Sequence, residues 1–285
     1  MVLFSPGSGG AVAMDDTGNN YIATPWVWYG DAPLPKAAGA MCCNGSVVAY
    51  VTADGGKSWT FRSEIASKQS INAAGLASEE GPNENDVVRL KDGSLLVVIR
   101  KDGGDGVPHH LHVPYMFASS SDQGHTWKVQ EAPKPLLSAR PRAVSLSSGA
   151  TFIAGGRPAL NLWVSADPSK STSLVDADTW ETFDIPTEHN KLIADPALQF
   201  CTAFENATLA LGWAESSAYT QVLALSADSA LVCYERQGGG SGGYRKHAPP
   251  ECAPKGSAIF CMRVRLAATP EDTHVPSSAT TTVAR

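Results

Sequence analysis

The chain has 285 residues, of which 43% are apolar and 18% charged, with a formal charge of −6 at pH 7. That length can bury a substantial core without forcing a second domain, and the acidic balance argues against a nucleic-acid partner, which would need a basic stripe to displace counterions. No apolar run reaches the length of a membrane span, and Met1 to Asp16 lacks the basic start and unbroken apolar segment of a secretory leader, so the compartment stays open.

Plentiful Gly, Pro, Ser and Thr suit many short strands joined by turns, and the expected class is all-β. In chain order, a faint strand-turn-strand segment surrounds Met14 to Thr24. The first distinctive motif is Thr52-Ala53-Asp54-Gly55-Gly56-Lys57-Ser58-Trp59. A clear hairpin follows at Val87 to Ile99, alternating about the turn Leu90-Lys91-Asp92-Gly93. A strand near Val113 to Ser119 leads into Ser120-Ser121-Asp122-Gln123-Gly124-His125-Thr126-Trp127, which repeats the earlier octapeptide: hydroxyl, any, Asp, any, Gly, any, hydroxyl, Trp. This is an Asp box, a tight loop in which the carboxylate satisfies turn donors, Gly takes a positive φ and Trp is expected to plug the loop.

Ala143 to Ala154 forms a second hairpin of the same kind, followed by a relic of the box, Ser165-Ala166-Asp167, which an insertion separates from Thr179-Trp180. Gln221 to Cys233 forms a third hairpin, and Ile259 to Leu266 reads as a last strand. Residues 237–243 are a Gly-rich loop, and residues 269–285 read as a disordered tail after a domain spanning 1–268. One unit is thus four strands with the box between the third and fourth, which is the layout of a propeller blade. About four units are expected, ending near Phe61, Val129 and Phe183, with the last around Ala197 to Tyr234.

Six cysteines, Cys42, Cys43, Cys201, Cys233, Cys252 and Cys261, lack paired C-x-x-C metal spacing. Buried thiols are one reading, and a Cys252 to Cys261 bridge is the other. Two sequons, at Asn44 and Asn206, would be glycosylated only in a secretory compartment.

The repeat also gives candidate chemistry. Six residues before the turn leucines Leu90, Leu146 and Leu225 stand Glu84, Arg140 and Tyr219, at the starts of equivalent strands. Ten or eleven residues after the same leucines stand Arg100, Arg157 and Glu235. With these strands innermost in radial blades, their starts converge on the axis although they are far apart in the chain. Clustered arginines suit a planar anion such as a carboxylate. A phenol beside a glutamate suits nucleophilic attack on an anionic substrate, which a carboxylate nucleophile would repel.

These residues resemble the sialidase (neuraminidase) family of Asp-box, or BNR-repeat, propellers. Asn83 to Gly93 through Arg100 resembles its segment in which a Glu precedes an L-x-D-G hairpin that ends in Arg. Gly156-Arg157-Pro158 through Ser165 resembles the segment of its last binding arginine, and Ser217-Ala218-Tyr219 through Glu235 that of its nucleophilic tyrosine. The resemblance runs from about Tyr21 to Leu266. It implies a six-bladed β-propeller, incomplete at the N-terminus, and exo-hydrolysis of terminal sialic acids from glycoproteins, glycolipids and oligosaccharides. It also implies that Arg100 and Arg157 clamp the carboxylate, Tyr219 attacks C2, Glu84 activates Tyr219 and configuration is retained, with no cofactor and no metal required.

The family's Arg-Ile-Pro arginine and its Asp acid/base, upstream of the Glu segment, are not recognisable here. Asp31, Asp102 and Asp105 are stand-ins for the acid without support from local spacing. Arg140 adds a third substrate-binding guanidinium on repeat geometry alone, because the family match does not place it. A propeller that binds sialic acid or an acidic sugar without catalysis, and a purely structural propeller, remain as alternatives.

Overall fold

In this computed structural model, described residues are 2–4, 9–29, 45–76, 81–101, 113–156, 160–166, 174, 177–201, 219–236 and 257–266. Strands dominate and form four antiparallel sheets among these residues. The first contains β1 (Val2–Phe4), β2 (Ala11–Ala13), β3 (Tyr21–Ala23), β4 (Trp26–Tyr29), β5 (Gly45–Thr52) and β6 (Thr60–Ser67). The second is β7 (Asn85–Arg89), β8 (Leu95–Ile99), β9 (Met116–Ser120) and β10 (Lys128–Glu131), in that order across the sheet. The third is likewise sequential: β11 (Ala139–Ser145), β12 (Thr151–Gly156), β13 (Asn161–Ser165) and β14 (Glu181–Asp184). The fourth holds β15 (Thr220–Ala224), β16 (Ser229–Arg236) and β17 (Ala258–Arg265).

The three expected hairpins close with the same turn. The N–H of Leu90 donates to Ser94 O at 2.8 Å, that of Leu146 to Ala150 O at 2.8 Å and that of Leu225 to Ser229 O at 2.9 Å. Gly93 and Gly149 supply the positive φ that the first two turns need. The octapeptides lie where the blade layout requires, between β5 and β6 and between β9 and β10.

Each sheet is glued to the next by an apolar cluster. Val47, Ala49 and Ile65 meet Val87, Val97 and Ile99 between the first two sheets. Val98, Phe117 and Leu136 meet Ile153, Trp163 and Trp180 between the second and third, and Phe152, Leu162 and Ile185 meet Val222, Val232 and Tyr234 between the third and fourth. Strand β8 shows why its sequence Leu-Leu-Val-Val-Ile does not alternate with polar residues: Leu95, Val97 and Ile99 feed one cluster, and Leu96 and Val98 the other. One edge strand of each sheet neighbours that of the next, β2 beside β7, β7 beside β11 and β11 beside β15.

Four features differ from expectation. The first sheet has six strands because β5, eight residues long, pairs along one edge with β4 at its start and β3 at its end. The last sheet is built on β17 as its third strand, and the described residues 195–201 form a turn rather than a strand. Two short helices appear, α1 (Lys68–Ala73) and α2 (Ile185–Leu192). Asp184 caps α2 by accepting from Thr187 N at 2.8 Å, with Pro186 in the first turn, a start signal readable in Asp-Ile-Pro-Thr-Glu. Finally, Cys261 is bonded to Cys233, not Cys252, because the two lie opposite each other in the β16/β17 ladder with Cα atoms 4.1 Å apart. Cys201 is disulfide-bonded as well. Cys42, Cys43, Cys252, both sequons, the Gly-rich loop and the tail lie outside the described residues.

Candidate active site

Glu84 immediately precedes β7 and Arg100 immediately follows β8, so the hairpin ladder delivers both to the same end. The Arg100 N–H donates to Glu84 O at 2.8 Å and the Asn83 N–H to Arg100 O at 2.9 Å, extending the ladder past the strand termini. Side by side there, Arg100 Nη1 donates to Glu84 Oε2 at 2.8 Å, with the two side chains 5% and 18% exposed. Burial to this degree makes the contact a charge-assisted bond in a poorly hydrated place, where removing one partner strands the other.

Arg140 reaches the same carboxylate by a different route. Strand β11 is bulged: Ala139 faces Gly156, yet Arg142 already faces Ala154. Within the bulge Arg140 has φ +40°, and its backbone N–H donates to Glu84 Oε2 at 3.0 Å. Its guanidinium carbon lies 4.8 Å from the centroid of the Tyr219 ring, a cation–π distance. Tyr219, just before β15, is about half exposed. Glu84 and Tyr219, from two different sheets, are thus linked through the backbone and the guanidinium of Arg140. Glu235 sits in β16 opposite Ile259 and is partly buried. Arg157, Asp31, Asp102 and Asp105 lie outside the described residues.

Sequence reasoning missed a second carboxylate in the cluster. Asp86 stands two residues beyond Glu84 and therefore on the same face of β7. It is almost fully buried; Oδ2 accepts from Ala143 N at 3.0 Å and Oδ1 lies 3.7 Å from Arg142 Nη1. Burial pushes its carboxyl above the ordinary carboxylate range, opposed by the Ala143 N–H and by Arg142. Gly10 lies against it, and a Cβ there would come within 1.8 Å of Asp86 Oδ1. Its trace in the sequence is the polar run Asn83-Glu84-Asn85-Asp86 ahead of apolar residues, a pattern that a solvated loop shares. Its other phase is structural: Asn85 accepts from Thr24 Oγ1 at 2.7 Å in the neighbouring sheet.

At the opposite ends of the strands sit the octapeptide turns. Asp122 accepts from Thr126 Oγ1 at 2.6 Å, Thr126 N at 2.9 Å, Ser120 Oγ at 2.8 Å and His125 N at 3.1 Å. Asp54 repeats the pattern with Ser58 and Thr52. These bonds hold both carboxyls far below the usual range. The second turn is also tied to the first sheet, where Ser63 Oγ donates to Gly124 O at 2.6 Å and accepts from Trp127 Nε1 at 3.0 Å. The expected apolar plug holds only there, because Trp59 has no sheet over it among the described residues and remains 41% exposed. A cleft of about 360 Å³ opens at this end between Leu90, Asp92, Ser94, Ser121, Thr126 and Lys128, and its described lining includes no arginine to receive a carboxylate.

No protein-family model and no curated protein matches the chain. Solved structures do match it. A protein of unknown function from Dyadobacter fermentans superposes with a TM-score of 0.51 at 13% identity, over 88% of this chain and 52% of that one. Phage phi92 endosialidase does so with a TM-score of 0.51 at 10% identity, over 96% and 38%. The Hadza microbial sialidase Hz136 gives 0.50 at 12% identity, over 83% and 36%. The chain therefore spans about half of the first of these structures and less of the others. At such identities the likeness is one of architecture, and on that evidence the chain has a sialidase-like β-propeller fold.

Proposed function

We propose that the chain carries the nucleophile and carboxylate-binding portion of an exo-α-sialidase-like glycoside hydrolase of the six-bladed type, acting on sialylated glycans. The observation that supports this reading most is the meeting of Glu84, Arg100, Arg140 and Tyr219, drawn from three sheets, at one end of the strands. Arg100, with Arg157, is assigned to the substrate carboxylate. In the first step the Tyr219 hydroxyl proton passes to Glu84, the phenolate oxygen bonds to the anomeric C2, and the bond from C2 to the leaving oxygen breaks with retention over two displacements. The leaving oxygen takes its proton from an acid for which Asp31, Asp102 and Asp105 remain the candidates. The domain is assigned to residues 1–268, with 269–285 as a tail.

A non-catalytic sugar-binding reading has one observation in its favour. Glu84 Oε2 is engaged by both Arg100 and the Arg140 N–H, which is also how a carboxylate would brace a purely binding arginine site. Incubation with a 2,3-difluoro sialic acid followed by peptide mass mapping separates the two. A sialosyl adduct on the Tyr219 peptide supports the nucleophile assignment. Sialic acid binding without an adduct selects the binding propeller, and the absence of both binding and adduct rejects both readings.

A further inference from the structure

Arg140 holds a conformation that its own residue type disfavours. Its φ of +40° is in the left-handed region, and the next residue is Pro141, whose ring further restricts the residue before it. Such a backbone persists only where its surroundings over-determine it. Here two carboxylates, one just before β7 and one within it, do so: Glu84 accepts the Arg140 N–H, while Asp86 accepts the Ala143 N–H and faces Arg142. The bulge held in this way presents the Arg140 guanidinium to the face of the Tyr219 ring.

We infer that Arg140 is a positioning residue, which sets the Tyr219 ring relative to Glu84 through its guanidinium and its bulge N–H, and is not a third clamp for the substrate carboxylate. The inference rests on the catalytic reading of Glu84 and Tyr219 given above. The contrast with Arg100 carries it. Arg100 meets Glu84 with its side chain, whereas Arg140 meets Glu84 with its backbone and directs its side chain to the tyrosine. The two functions of Arg140 are therefore separable by mutation. Arg140→Gly keeps the N–H to Glu84, suits the positive φ and deletes the whole side chain with its guanidinium.

The experiment is tetranitromethane nitration of the intact chain, read by peptide mapping, with Tyr21 and Tyr50 as internal references. Removal of the side chain that covers the ring face in Arg140→Gly is expected to raise Tyr219 nitration about five- to tenfold, with the references unchanged and the melting temperature not lowered. Arg140→Lys, which restores a long side chain over the ring, is expected to recover part of the protection. N-acetylneuraminic acid affinity should stay within about twofold while kcat on an aryl sialoside falls roughly 10- to 100-fold. Unchanged Tyr219 nitration overturns the inference, as does a loss of sialic acid affinity of about tenfold or more, which would return Arg140 to the carboxylate clamp. Absence of turnover in the wild-type chain would count against the sialidase reading alone, since nitration still decides whether Arg140 holds the ring.

Discussion

The two ends of the strands use carboxylates in opposite ways. At the turn end, Asp54 is exposed and Asp122 half-buried, and both draw their hydrogen bonds from residues no more than four positions away. At the other end, Glu84 and Asp86 are largely buried and take bonds from Arg140 and Ala143, more than fifty residues on, in the next sheet. The first arrangement closes a loop and forms as soon as the loop does. The second locks one sheet against another, and desolvation makes each missing partner costly. The difference makes the Glu84 end, rather than the conspicuous repeated motif, the place where buried charge joins one sheet to the next.

The strongest way to test this contrast is to remove Glu84. Glu84→Ala removes the buried carboxylate that Arg100 Nη1 and the Arg140 N–H share, and is expected to cost about 3–5 kcal/mol in urea unfolding. A loss below about 1 kcal/mol would place the pair among ordinary surface bridges. A steric probe at the same end is Gly10→Ala. The new Cβ would meet Asp86 Oδ1 at 1.8 Å and the Val87 backbone N at 2.8 Å, so overpacking should cost about 1–3 kcal/mol by the same measurement. Wild-type stability there would mean that β2 and β7 separate freely.

Protonation sharpens the comparison further. Burial holds the His189 imidazole below its ordinary range, between Tyr234 OH at Nδ1 and Leu198 O at Nε2. The unfolded state thus takes up a proton before the folded one does, and stability falls as pH drops below about 6.5, by at most about 1.4 kcal/mol per pH unit. His189→Gln should flatten the melting profile between neutral and mildly acidic pH. Asp86 runs the other way: its carboxyl is raised in the folded chain, so its contribution improves as pH falls toward the ordinary carboxylate range. The turn carboxylates, which are lowered, contribute fully above about pH 4 and lose their contribution as acid titrates them. The smallest effect is expected at the turn itself. Asp122→Ala should lower the melting temperature by a few degrees and leave the proposed sialic acid binding intact, and loss of that binding would put the turn inside the site.

Much of the fold was legible in the sequence, and the legible parts share one property. The three Leu-turned hairpins, both octapeptide loops and the order of strands within the second and third sheets all depend on contacts between near neighbours in the chain. Side-chain alternation and turn chemistry are sufficient for these. The repeat phase also singled out Glu84, Arg140 and Tyr219, because equivalent positions in stacked units face the same way. The Asp184 cap of α2 was readable too and was overshadowed by the strand pattern around it.

The remaining features were settled by packing between segments far apart in the chain. Asp86 was indistinguishable from a solvated loop acid until the third sheet supplied the Ala143 N–H and covered it. Cys261 found Cys233 because the β16/β17 ladder put them in register, which no count of cysteines reveals. Arg140 was visible as a charge in the right phase, but whether its backbone or its side chain would meet Glu84 depended on a one-residue bulge in β11. A bulge reverses which face a side chain takes, and it is stabilised here by acceptors from another sheet. Turns and blade phase were thus determined locally, whereas the partners of each buried charge were decided when the sheets closed on one another.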